Sequence, residues 1–144
     1  MQLDNYISWK EYYSNVWVNE YNSIKILKND NNYENNEKYL KKISIFFLST
    51  CKLLRFYLEN NGLFFKSYKD CMKFAFRMEL IEDGDTWIEW FDIFENYSAS
   101  NVTVETLLKF CLNDKFNIIE ELNDKFCKLM VNDGKIFNKN FKIE

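Results

Sequence analysis

Apolar residues recur every three or four positions in long blocks separated by short polar breaks, and each block reads as an amphipathic helix. The most regular block covers residues 37–61, where Leu40, Ile43, Phe47, Cys51, Leu54 and Leu58 form one stripe. Lys41, Lys42, Lys52, Arg55 and Glu59 interrupt it on the polar side, and Gly62 stands where a left-handed residue would close the helix. Upstream, residues 4–27 carry a less regular stripe of Tyr6, Trp9, Tyr13, Val16, Trp17, Ile24 and Leu27. Between these helices, residues 29–36 are almost all Asn, Asp and Glu, short polar side chains that compete with helical backbone bonding, and they predict a loop.

Downstream, Ser67-Tyr68-Lys69-Asp70 has the form of a capping box before a short apolar run through Cys71, Phe74, Ala75 and Met78. The next start is acidic, Asp83-Gly84-Asp85: Asp83 can accept from unpaired backbone N–H groups, and Asp85 lies where the macrodipole favours negative charge. On this helix Trp87, Trp90, Phe91, Phe94 and Tyr97 share one side, opposite Asp85, Glu89, Asp92 and Asn96. Two readings stay open: a core face backed by a solvated acidic face, or a cleft wall where Asp92, Asn96 and one Trp meet a ligand. After a weak interruption at residues 98–101, Thr103 caps a last helix over 103–130, buried through Leu108, Leu112, Phe116, Ile119, Leu122, Phe126 and Leu129. Gly134 opens a polar tail. The expected fold is all-α, an antiparallel up-and-down bundle of four long helices plus one short helix, in a single domain over residues 1–144.

Composition agrees with this pattern. There is no proline, glycine occurs three times, and 47% of residues are hydrophobic, so helix breakers are scarce and a core can form. The net charge of −3 provides no global basic field, which makes nucleic acid an unlikely ligand of the whole molecule. No secretion-type start and no membrane-length apolar run is present, which predicts a soluble cytoplasmic protein without membrane association.

The chain has no histidine, which excludes Ser-His-Asp and Cys-His devices and histidine acid-base catalysis. No glycine-rich phosphate loop exists. Cys51, Cys71, Cys111 and Cys127 are widely spaced, and three of them sit beside apolar neighbours in amphipathic patterns, as buried reduced thiols do; no metal and no cofactor is expected. Asp83 and Asp85 read as a helix start rather than a cation site. Lys52 and Arg55, with Glu59 one turn on, form either a solvated ion-paired face or a small anion-binding strip, which Arg77 would enlarge if the fold brought it near.

The run Phe47-Leu48-Ser49-Thr50-Cys51-Lys52-Leu53-Leu54-Arg55-Phe56-Tyr57-Leu58-Glu59 followed by Gly62 resembles the pattern Phe-Glu-Leu-Ala-Trp-Lys-Thr-Leu-Lys-x-Tyr-Leu-Glu-x-x-Gly. Residues 68–90 are similar to a second signature, a short helix leading into Leu-Ile-Asp/Glu-Asp-Gly-Glu-x-Trp. These patterns belong to the nucleotidyltransferase substrate-binding proteins, a branch of the HEPN-like helical superfamily, and the resemblance covers residues 37–130. It implies a helical bundle that homodimerises and pairs with a separately encoded minimal nucleotidyltransferase, binding a nucleotide or acceptor substrate while the partner performs the chemistry. Ribonuclease relatives carry an Arg-x4-His signature extended to His-x-Tyr. In an ungapped alignment those positions are Glu95, Ser100 and Val102, which removes the phosphate-stabilising cation and the proton-transfer group. Cys51 stands where the pattern has Trp.

The resulting expectation is a noncatalytic subunit with Lys52, Arg55, Asp92 and Asn96 as substrate- or partner-binding residues. Two alternatives remain: a degenerate toxin-family dimer or scaffold, and a residual ribonuclease using the same residues.

Overall fold

The protein is described by a computed structural model covering residues 8–30, 36–95 and 104–132. All regular structure among these residues is helical: α1 (Trp9–Tyr12), α2 (Val18–Asp30), α3 (Asn36–Glu59), α4 (Tyr68–Arg77), α5 (Gly84–Glu95), α6 (Val104–Lys109) and α7 (Phe116–Val131). Two π-helical segments are inserted, Tyr13–Trp17 between α1 and α2 and Phe110–Asp114 after α6. None of these helices is long and apolar enough to cross a membrane.

Both π segments fall where the apolar spacing is strictly four. An α-helix turns about 100° per residue, so each step of four overshoots by about 40° and a stripe drifts off its face. A π turn is wider and recovers that phase. Trp9, Tyr13, Trp17 and Tyr21 are consequently all buried, as are Leu108, Leu112 and Phe116. The last helix, expected to be continuous over 103–130, is instead interrupted at Lys115, whose φ of −123° and ψ of 19° lie outside the helical range. In α3, steps of three are mixed among the steps of four, and no correction is needed.

α1, the first π segment and α2 form one arm running antiparallel to α3. The Trp9 backbone N–H donates to Asn60 Oδ1 at one end (2.8 Å), and Trp17 Nε1 donates to Thr50 Oγ1 further along (2.9 Å). α7 runs antiparallel to the same arm: Tyr13 stacks on Phe126 and Tyr21 on Phe116. Phe126 also meets Trp9 and Tyr57 edge-on, each with centroids 5.4 Å apart, so arm, α3 and α7 share one aromatic seam.

The predicted terminators are in place. Gly62, at φ 85°, closes α3 through a Gly62 N–H bond to the Glu59 carbonyl and a Leu63 N–H bond to the Leu58 carbonyl. Ser67 Oγ accepts from the Asp70 N–H (3.1 Å) at the start of α4. Ser8 caps the arm, and residues 1–7, with the start expected near Asp4, lie outside the described residues. Of the expected loop over 29–36, Asn29 and Asp30 belong to α2 and Asn36 to α3, and residues 31–35 lie outside the described residues. The interruption at 98–101, the Thr103 cap and the polar tail also lie outside the described residues.

Asp83 does two jobs. Its Oδ1 accepts from the Thr86 N–H, capping α5, and its Oδ2 meets Lys115 Nζ at 3.1 Å, tying α5 to the break before α7. These contacts, the Thr86 bond foremost and Lys115 second among them, outweigh partial burial and hold its carboxyl below the ordinary carboxylate range. The next residue, Gly84, is required by close approach: a Cβ there would lie 2.7 Å from Phe76 Cγ.

Two outcomes are expected. Gly84→Ala forces the Phe76 ring aside and lowers unfolding stability by about 1–3 kcal/mol in urea titration. Because the folded-state pKa of Asp83 is depressed, its stabilisation is present above the unfolded carboxylate pKa and is lost as pH falls through the folded value. Asp83→Asn is therefore less stable than the parent at pH 7, and the difference in melting temperature shrinks on acidification through the carboxylate range.

Candidate functional site

α3 meets the arm and α7 on one side and α5 on another. Phe47 packs against Trp87, Phe91 and Phe94, with ring centroids 6.4, 5.8 and 5.2 Å away. One turn on, the interface opens into a cleft of about 210 Å³ lined by Ser44, Phe47, Leu48, Cys51, Tyr68, Phe91 and Phe94. Ser44, Leu48 and Cys51 reach it because positions i, i+4 and i+7 share a helix face. The lining is apolar apart from one hydroxyl, one thiol and the Tyr68 phenol.

Tyr68 and Lys69, the first two residues of α4, organise the rim. Tyr68 meets Phe91 edge-on, and its hydroxyl accepts from Arg55 Nη1 (3.3 Å). The Arg55 guanidinium also lies 5.0 Å from the Phe56 ring centroid and 5.5 Å from that of Tyr68, and its Nε is 3.5 Å from Glu59 Oε2. Burial raises the Tyr68 pKa, an effect only partly offset by Arg55, so the phenol stays neutral and keeps a proton to donate. Lys69 Nζ contacts Asp92 Oδ1 at 2.9 Å. Both ion pairs are partly exposed and contribute modestly to stability.

Of the expected site residues, Arg55 bonds the cleft residue Tyr68, and Asp92, which follows the cleft residue Phe91, pairs with Lys69. Lys52 is half-buried on α3, one turn beyond Leu48. Asn96, Ser100 and Val102 lie outside the described residues, and Glu95 is the last residue of α5. Arg77 does not join the cationic strip, because it ends α4 about 13 Å along the helix from Tyr68. The aromatic face of α5 is divided rather than uniform. Trp87 and Trp90 are buried in the core, so no Trp lines the cleft; the half-buried Phe91 and Phe94 do.

Sequence reasoning missed Tyr68 and Lys69 as site residues, since they read as part of a cap. Their signal was an aromatic and a cation in the first turn of a strongly amphipathic helix. Among the described residues, no group of three or more Cys, Asp or Glu side chains is placed to hold a metal ion. The cleft is suited to enclosing an apolar group beside polar ones. No family model, curated protein or solved structure matches this chain.

Cys51, Cys71 and Cys111 are buried and Cys127 is exposed. Burial pushes the Cys71 thiol up to about 12 and raises that of Cys111 as well, which keeps both protonated at neutral pH. A thiol-reactive reagent at pH 8 is expected to modify one cysteine of the native protein rapidly, mapped by mass spectrometry to Cys127. All four should react after denaturation; rapid native modification of Cys71 would contradict the packing.

Proposed function

We propose that this chain is a noncatalytic substrate-binding and partner subunit of a two-component minimal nucleotidyltransferase system. The observation that carries the reading is the open apolar cleft between α3 and α5, whose Tyr68 wall is bonded by Arg55, with the Lys69–Asp92 pair joining the residues that follow Tyr68 and Phe91. Its lining draws on both segments that resemble the family, with Phe47, Leu48 and Cys51 from the first and Tyr68 from the second. Cys51, standing where the family pattern has Trp, lines the cleft, and the smaller side chain supports a role in admitting a ligand group there. The histidine-free composition supports assigning the chemistry to a partner.

In this reading the chain forms an antiparallel up-and-down bundle of four long helices and one short helix, homodimerises and works in the cytoplasm. The partner nucleotidyltransferase supplies the metal-binding carboxylates.

The test is co-expression with a short nucleotidyltransferase encoded beside this chain's gene. The expected result is a complex that survives size-exclusion chromatography at micromolar concentration, with no RNA cleavage by the bundle alone. Absence of association, or RNA cleavage that is abolished by Arg55→Ala, would overturn the reading.

A further inference from the structure

The polar side of α3 has an unusual charge distribution. Between Glu37 and Glu59, which lie in the same arc at its two ends, it carries Lys38, Lys41, Lys42, Lys52 and Arg55, a cationic excess within a chain whose net charge is −3. On an ideal helix Lys38, Lys41, Ile45, Leu48, Lys52 and Arg55 fall within about 100° of one another. In the structure Ile45 and Leu48 are exposed large apolar residues, 44% and 47% accessible, and Leu48 is also a wall of the cleft. The result is one stripe with cations at both ends, an apolar centre, and a cavity opening beside that centre. Lys38, Lys41 and Lys52 have no ion pair among the described residues.

We infer that this stripe docks an acidic amphipathic helix of a partner protein, which inserts one bulky apolar side chain into the cleft beside Leu48 and sets carboxylates against Lys41 and Lys52. Helix-in-groove recognition uses this division, with apolar anchors in a pocket supplying affinity and rim charges supplying orientation and approach rate. The cations are about 16 Å apart, which spans three turns of a partner helix.

Charge also argues against two other occupants. A two-fold antiparallel pairing of this stripe with a second copy sets Ile45 against Leu48, but on each side of them it also sets Lys41 against Lys52, while Arg55 is already paired with Glu59. Like charges then meet at both ends. The chain's own segment 133–144 carries Lys135, Lys139 and Lys142 against Asp133 and Glu144, the wrong sign for this surface. The inference holds whether or not the partner is a nucleotidyltransferase.

The test uses the full chain and two fluorescein-labelled helical peptides, one with leucines at every third or fourth position flanked by glutamates, the other with lysine at each glutamate. Fluorescence anisotropy should give micromolar binding of the acidic peptide and none of the basic one, weakened by about 0.5 M salt. Leu48→Asp should weaken binding about tenfold or more. Because Leu48 is exposed, this variant should keep the parent's circular dichroism. Lys52→Glu, which alters no core residue, should lower affinity for the acidic peptide and raise it for the basic one. Equal binding of both peptides, binding of neither, or indifference to both substitutions would overturn the inference. So would a dimer seen by light scattering that Leu48→Asp dissolves, since the second copy would then be the occupant.

Discussion

The burial of Trp17 is the interaction on which the remaining packing depends. Its indole stacks on Tyr13 and Tyr21, with centroids 5.7 and 5.2 Å away, and its N–H donates to Thr50 in the middle of α3. Thr50 in turn donates to the Phe46 carbonyl, so the buried hydroxyl is satisfied as both donor and acceptor. Aromatic pairs of this kind contribute about 0.5–1.5 kcal/mol each beyond their buried area. Leaving a buried polar partner unsatisfied costs about 1–3 kcal/mol. The indole therefore sets register as well as adding burial, because sliding the arm along α3 breaks the bond and misaligns the stack. With Tyr13 and Tyr21 placed, Phe126 and Phe116 of α7 have surfaces to close on.

That commitment determines what α3 has left for function. One flank is filled by the arm and α7 and another by Trp87 and the α5 aromatics. The cleft forms where Phe91 and Phe94 leave the α3 surface partly uncovered, and α4 completes it by placing Tyr68 over Phe91. Charges on the α4–α5 side are matched, Lys69 with Asp92 and Arg55 with Glu59. Among the described residues, Lys38, Lys41 and Lys52 on the outer side of α3 have no ion pair. Paired charges on one rim and an excess of lysine on the other make the two sides of the cleft chemically different.

Much of this was legible along the chain where the relevant physics is short-range. Gly62, Ser67 and Asp83 were readable as helix stops and starts because each acts on backbone groups within a few residues. The reduced, buried state expected of the cysteines follows from apolar neighbours at helical spacing and holds for Cys51, Cys71 and Cys111. The irregular stripe of the first helix was visible, but its cause was not. Four-residue spacing over Trp9, Tyr13, Trp17 and Tyr21 signals phase drift, and relief by a π turn pays off only if α3 and α7 stand ready to bury all four rings. Lys115 carried no breaker signal. Its interruption of the last helix accompanies the contact with Asp83, 32 residues earlier.

The site divides in the same way. Arg55 and Asp92 could be singled out from charge and position, yet their partners Tyr68 and Lys69 lie on a different helix, and no spacing rule couples them. Nor could periodicity separate Trp87 and Trp90 from Phe91 and Phe94, since all four occupy one broad helix face. By itself the sequence determined the all-helical class, the main starts and stops, and the absence of histidine chemistry, because these follow from composition and from interactions within a turn or two. Only the tertiary structure decided which aromatics became core and which became cleft. That outcome depends on how far a second helix covers each ring, a long-range quantity that local pattern does not contain.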